Sequence, residues 1–244
     1  MLIRFVVKRA SICHSSSEHV CKLAGKISRE TVSKFNTFFW GIIPQSLIDE
    51  PSENMVHKME KELGLTGKRI VLSARGLGEI YRPKQVAEII RGNANNLDNR
   101  KIVFVILRVN ASDNDVSNFK KMMQDFEDSY IFVNRMLSEE ELAYLYHKSL
   151  AHISIPSSDS LGGGVVEPAM CGSYPILSDL PGNRWFIDNY FGKVIIKSED
   201  VNFNLLFNSD LQDPNLSGID KVRIDMCSTT VKEELISMYE RACR

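Results

Sequence analysis

From residue 69 onward the chain repeats one unit, a short apolar run followed by an amphipathic segment, and this repetition leaves few folds open. The runs are 70–74, 102–109, 130–133, 151–155, 174–177 and 193–196, with starts 32, 28, 21, 23 and 19 residues apart. Runs of this length, bounded by turn residues, are strand-sized. A hairpin needs only a few linking residues, whereas these spacings leave room for a crossover helix each time. The pattern predicts a doubly wound α/β domain around a parallel sheet, Rossmann-like in type, over residues 49–220.

The segments between the runs carry helix signals of their own. Phe119, Met122, Met123 and Phe126 fall at i, i+3, i+4 and i+7, one buried helical face. Ser138-Glu139-Glu140-Glu141 is a capping box ahead of Leu142, Leu145 and Tyr146, its glutamate run a solvated helix start. Gly172 follows 166–171 where a helix needs a left-handed stop. Val231, Leu235, Met238 and Tyr239 predict a terminal helix within 221–244 that covers the sheet.

Residues 1–48 differ. An apolar, strand-like run at 1–9 precedes Ser15-Ser16-Ser17-Glu18, a second capping box, and a short helix with Val20, Leu23, Ala24 and Ile27 on one face. One strand and one helix cannot bury a core alone, so this segment is expected to pack on the main domain or on a further partner.

Composition removes several function classes. Thirty basic residues against 31 acidic ones leave a net charge of −1, which gives no electrostatic ground for nucleic-acid binding. The five cysteines are scattered and never form a C-x-x-C pair, the usage of free thiols in a reducing compartment. Arg4 interrupts the first apolar run, and no stretch is long and apolar enough to cross a membrane. The chain is therefore expected to be cytoplasmic, with peripheral attachment to the inner face of a membrane as the variant.

Two loops could carry chemistry. The first, after the run at 70–74, presents Arg75, Arg82 and Lys84 within ten residues at the sheet edge where α/β proteins bind ligands, and guanidinium forks suit a diphosphate. Gly76 and Gly78 begin a dinucleotide fingerprint, but Tyr81 takes the place of its third glycine, which argues against an NAD-linked enzyme. The second loop, after 151–155, runs from Asp159 through Gly162, Gly163 and Gly164 to Glu167. Successive glycines opening a helix let an anion approach free amides, and two carboxylates beside a phosphate site suit sugar or ribose hydroxyls. The bland alternatives are a solvated charged loop and a tight turn with Glu167 in the first turn of its helix. His14, His19, Cys13 and Cys21 lack a zinc spacing, His152 fits a satisfied core histidine, and Ser157 and Ser158 lack a nucleophile elbow.

Asp159, seven residues, then Glu167 and the small-residue stretch to Met170-Cys171-Gly172, followed by Tyr174-Pro175-Ile176-Leu177-Ser178-Asp179, resembles the acid-x7-acid signature and next strand of the family 4 retaining glycosyltransferases. The Arg75 loop is similar to that family's first nucleotide-sugar loop, and 130–135 to its third strand beside the base pocket. The resemblance spans 49–197 and implies the C-terminal, donor-binding half of a GT-B architecture. By resemblance, Glu167 holds the donor ribose, Asp159 is the catalytic acid that holds the transferred sugar's hydroxyls, Arg75 holds the diphosphate, and the amides of Gly162, Gly163 and Gly164 meet phosphate and sugar. No metal or cofactor is implied, because cations and amides stabilise the departing diphosphate.

Three positions depart from the family pattern. The first acid is Asp159 where Glu is usual, Pro168 replaces Ala in what should be a first helical turn, and Ile80 stands where a second phosphate-binding Lys is common. Either Arg82 or Lys84 takes over that lysine's part. Residues 1–48 resemble only the end of the family's acceptor domain, a last strand and helix around 12–23 and an interdomain segment at 39–44. The resemblance thus implies a glycosyltransferase moving a sugar from a nucleotide sugar to a saccharide or lipid-linked acceptor in cell-surface polysaccharide or lipopolysaccharide assembly. The alternative is a non-catalytic nucleotide-sugar-binding fragment or subunit that depends on a second chain for its acceptor site.

Overall fold

The computed structural model of the chain describes residues 2–15, 18–27, 33–37, 43–99, 101–191, 195–196 and 216–243. Its centre is a parallel sheet of strands β3 (Arg69–Ser73), β4 (Ile102–Leu107), β5 (Tyr130–Val133), β6 (Ser149–Ser154), β7 (Tyr174–Ser178) and β8 (Ile195–Ile196). The spatial order is β5-β4-β3-β6-β7-β8, the doubly wound order in which the chain starts mid-sheet, works to one edge, and returns to build the other. Each of the six apolar runs from residue 69 onward holds a strand; β4 is buried at every position, as a strand covered on both faces must be. In the last run, only 195–196 lie within the described residues.

Right-handed crossovers put the helices of the two half-sheets on opposite faces. Helices α5 (Pro83–Asn99) and α6 (Asp113–Met122) pack together on one side, while α4 (Glu53–Leu63), α7 (Glu139–Lys148) and α8 (Gly163–Met170) adjoin one another on the other. Helix α9 (Pro181–Tyr190) follows β7 and packs beside α10 (Leu216–Met226). One core runs through all of this, with Met59, Val71, Phe104, Phe119, Leu145, Met170 and Phe186 among its buried members. The α7 capping box forms as expected, and Gly172 takes φ 95°. A second box, Ser112 with Asp115, opens α6 ahead of the apolar face read around Phe119. Helix α6 stops at Met122, so Met123, fully buried, and Phe126, partly buried, both pack from beyond the helix end.

The N-terminal expectations need correction. Residues 2–9 form helix α1 (Leu2–Arg9) rather than a strand. Its apolar residues do not alternate, Lys8 and Arg9 suit a helix C-terminus, and Arg9 stacks over the Phe5 ring one turn back at 4.1 Å. Strand β1 (Cys13–Ser15) and helix α2 (Glu18–Ile27) follow as read, but the buried face of α2 is Cys21 and Ala24, while Val20 and Leu23 are exposed. Two residues of the Ser15–Glu18 box, and 39–42 of the interdomain segment, lie outside the described residues. Strand β1 pairs in parallel with β2 (Phe35–Thr37). This small sheet is tied back to the main body by α2 against α9 and by Arg241 Nη2 donating to Asn36 Oδ1 at 2.7 Å. Helix α3 (Gln45–Ile48) belongs to the main core through Leu47, whose carbonyl accepts from Cys171 Sγ at 3.0 Å.

The C-terminal pattern resolves into two helices, α10 and α11 (Ser228–Ala242), broken at Cys227. In α11, Val231 and Met238 are buried, and Tyr239 is exposed. Among the described residues no helix is long and apolar enough to cross a membrane.

Candidate functional site

The winding of the sheet reverses between β3 and β6, which are paired neighbours, and a crevice opens beyond their carboxyl ends. The loop after β3 carries Arg75; the loop after β6 carries Asp159 and leads into α8 with its glycines and Glu167. The two loops are fastened together: Ser157 donates to the carbonyl of Ile80 from its amide at 2.8 Å and from its hydroxyl at 3.2 Å. Gly76 also explains itself here, since a Cβ at that position would stand 1.9 Å from the carbonyl oxygen of Val109. Its role is close backbone approach, not part of a dinucleotide fingerprint.

The side chain of Arg75 lies along the glycine run. Cβ atoms on Gly162 and Gly164 would stand 2.8 Å from its Nη1 and 3.0 Å from its Cδ, so only glycine leaves the guanidinium its bed. Arg75 Nη2 donates to Asp159 Oδ2, its Cζ lies 5.1 Å from the Tyr81 ring centroid, and its Nε is buried with no hydrogen-bond partner among the described residues. A buried guanidinium nitrogen without an acceptor is costly and rare in structural arginines. Asp159 is itself held in place, its Oδ1 accepting from the amide of Ser160 at 2.9 Å.

Gly162 caps α8, and its carbonyl takes the amides of Val165 and Val166. The amides of Gly163 and Gly164 have no acceptor among the described residues and stand at the positive end of the helix. Glu167 lies in the second turn of α8 rather than the first, which removes the simple dipole explanation for it. Its Oε1 lies over Gly163, only 2.4 Å from where a Cβ would be, and its Oε2 accepts from the hydroxyl of Tyr146 at 2.8 Å. Pro168, next along, is the sixth helical residue and not a first-turn proline; the helix ends two residues later, so its missing amide costs only one late bond.

Arg75, Asp159, Gly162, Gly163, Gly164 and Glu167 thus converge on one edge. Arg82 and Lys84 do not join them directly. They line an adjoining groove of about 900 Å³ with Leu77, Asp115, Lys121 and Ser157, and neither makes an ion pair with a described residue. Arg82 is half-buried, in left-handed backbone at φ 52° just before α5, whereas Lys84 is exposed in its first turn.

Other sequence candidates settle as structural. His152 is fully buried, shares a 3.1 Å hydrogen bond with Ser173 Oγ, and is pushed down to about 3 by burial, so it is a neutral core residue, though only half satisfied, its Nε2 having no hydrogen-bond partner among the described residues. All five cysteines are free, and burial raises the Cys171 thiol to about 12. Among the described residues no group of His, Cys, Asp or Glu could hold a metal ion. Tyr146 and Tyr81 are the site residues that sequence reasoning missed: the first was counted as a core position of α7, the second as an obstacle to a glycine motif.

No family model matches the chain, and no curated protein matches it in sequence. Solved structures do. A glycosyltransferase from Rickettsia africae superposes with a TM-score of 0.78 at 11% identity, over 96% of this chain and 64% of that one. Anabaena HepE in complex with UDP and glucose gives 0.75 at 10% identity, over 95% and 63%. Sucrose-phosphate synthase from Thermosynechococcus elongatus gives 0.74 at 14% identity, over 99% and 60%. The chain has the GT-B glycosyltransferase fold and spans 60% to 64% of the length of these neighbours.

Proposed function

We propose that the chain binds a nucleotide sugar at the β3–β6 crevice and acts as the donor half of a glycosyltransferase. One observation carries this reading: a half-buried arginine paired with Asp159 lies on a glycine run that also holds Glu167 and two helix amides with no acceptor among the described residues, at the reversal point of a doubly wound sheet. Cation and amides together suit a diphosphate, and carboxylates to either side suit the hydroxyls of a ribose and a sugar. The likeness to HepE, whose structure holds UDP and glucose, supports the same ligand class.

In this reading the diphosphate takes the Arg75 guanidinium over from Asp159, which turns to the hydroxyls of the transferred sugar, while Glu167 receives the ribose. As the bond to the sugar breaks, negative charge grows on the leaving diphosphate. Arg75 and the amides of Gly163 and Gly164 are already in position to meet it, so little reorganisation is needed at that moment. Arg82, half-buried on the flank of the loop, is the better placed second cation; Lys84 is exposed. The acid-x7-acid spacing supports a family 4, retaining enzyme, with a saccharide or lipid-linked acceptor of cell-surface polysaccharide assembly as its substrate.

A second reading has the chain bind the donor while a second chain supplies the acceptor site. Thermal shift against UDP, GDP, ADP, NAD and the matching nucleotide sugars tests the common core of both. A ligand at a hundred times its Kd stabilises by about 2.7 kcal/mol, about 5–11 °C for a chain of this size. One nucleoside diphosphate and its sugars should shift the Tm, and Glu167→Ala should remove the shift with the fold intact. A shift with NAD alone would overturn the reading, and sugar transfer by the purified chain would exclude the second-chain variant.

A further inference from the structure

We infer that Tyr146 is a positioning residue for the donor site: by occupying Oε2 of Glu167 it commits Oε1 to the donor's ribose and makes the site demand a ribonucleotide. The inference rests on the donor-site reading above and names a residue that reading does not require.

The geometry is specific. Glu167 has three rotatable side-chain bonds, and a carboxylate free to sample them would hold a diol only at an entropic cost. Tyr146 has its ring locked in the core, at 3% exposure, in a helix packed beside α8. Its hydroxyl donates to Glu167 Oε2 at 2.8 Å. The partner oxygen, Oε1, comes to rest over Gly163, at the open end of the α8 helix. Two residues therefore fix one carboxylate: a tyrosine that pins its far oxygen and a glycine whose missing side chain makes room for the near one. A phenol bound by a carboxylate and buried from water stays protonated, and burial with the Glu167 charge holds its titration well above the usual tyrosine range. The donor role is thus constant over any practical assay pH.

Tyr144, two residues earlier on α7, is buried as fully, and no hydrogen bond joins its hydroxyl to Glu167. It serves as the internal control.

The test is isothermal titration of the full chain with UDP, GDP and ADP, followed by the 2′-deoxy form of whichever binds. A carboxylate accepting from a hydroxyl in a partly buried site discriminates by about tenfold or more, so the wild-type chain should prefer the ribonucleotide by that factor. In Tyr146→Phe, affinity for the ribonucleotide should fall about tenfold and affinity for the deoxy form should barely change, so the preference collapses. Tyr144→Phe should retain it. In a Glu167→Ala background the Tyr146 substitution should have no further effect, because the two act as one unit. A Tyr146→Phe chain that keeps the full preference, or loses affinity for both forms alike, would overturn the inference while leaving the donor site standing. Failure of all three diphosphates to bind the wild-type chain would overturn the donor-site reading itself, and the positioning role with it.

Discussion

Two arginines stand just beyond carboxyl ends of strands in the same sheet, and they could hardly be kept more differently. Arg135, after β5, has acceptors for all of its nitrogens: Glu62 Oε1 at 3.0 Å from Nε and 2.6 Å from Nη2, Glu141 Oε2 at 2.7 Å from Nη1, and the Met136 carbonyl at 3.1 Å. Glu141, though it opened as one of three glutamates at a solvated helix start, is buried, and also accepts from Lys58 at 2.7 Å and from the Ser138 amide at 3.0 Å. Arg75, after β3, has one carboxylate, a buried Nε with no acceptor among the described residues, and a floor of glycine. The satisfied cluster holds α4, α7 and the β5 loop together. In the proposed reading the unsatisfied one is left open for the donor. Completeness of hydrogen bonding, more than burial or charge, separates a structural ion pair from a binding one.

That contrast is open to attack from both sides. Arg135→Ala leaves Glu141 buried with too few donors, and should cost about 3 kcal/mol, the low end for a broken buried pair because Arg135 itself is partly exposed. Thermal unfolding should show a Tm lower by about 6–12 °C, with nucleoside diphosphate affinity unchanged in the folded chain. Arg75→Ala should do the reverse. It removes a charge-assisted contact with phosphate, so affinity should drop by about 30- to 100-fold, about 2–3 kcal/mol, while the Tm stays within a few degrees. Were the Arg75 variant to lose stability on the scale of the Arg135 variant, the distinction between the clusters would be gone.

Legibility in the sequence divides along the same line. The strands show as runs because β3, β4, β6 and β7 are buried at nearly every position and hold mostly apolar residues, and the Ser138 box shows because capping is local chemistry. Asp159, Glu167 and the glycines between them are visible as a spacing. What the spacing does not show is who touches whom. That Glu141 is buried depends on Arg135, Lys58 and Glu62 arriving from other elements, and that Tyr146 meets Glu167 depends on the α7–α8 packing angle. Residues 2–9 mislead for a different reason: short apolar runs are ambiguous between helix and strand.

Acid titration sharpens the satisfied side of the comparison. The Arg135 guanidinium, with help from Lys58 and the Ser138 amide, holds the Glu141 carboxyl down at about 2, well under its unfolded value. A group whose folded pKa is depressed adds stability that is fully present above its unfolded pKa and lost as pH falls through the folded one. The Glu141 contribution should therefore be intact at neutral pH and fade from about pH 5 toward pH 2. Glu141→Gln should cost about 2 kcal/mol at pH 7 and progressively less below pH 4, so that the two chains' denaturant midpoints converge in acid. Parallel midpoints across the range would show that the cluster carries no linked proton.

The smallest effect bears on the unsatisfied side, and separates site from scaffold most cleanly. Gly163→Ala places a methyl group 2.4 Å from Glu167 Oε1, the far end of a flexible side chain rather than backbone, so the carboxylate shifts and the fold does not. Alanine is also the better helix former in the first turn of α8, which offsets any strain by up to about 1 kcal/mol. The Tm should hold or rise slightly, while nucleoside diphosphate affinity falls about five- to tenfold as Glu167 leaves its place beside the cradle. A stabilising substitution that weakens binding has no explanation in packing. It would mean that glycine stands at 163 to admit a carboxylate, and that the carboxylate is there to be used.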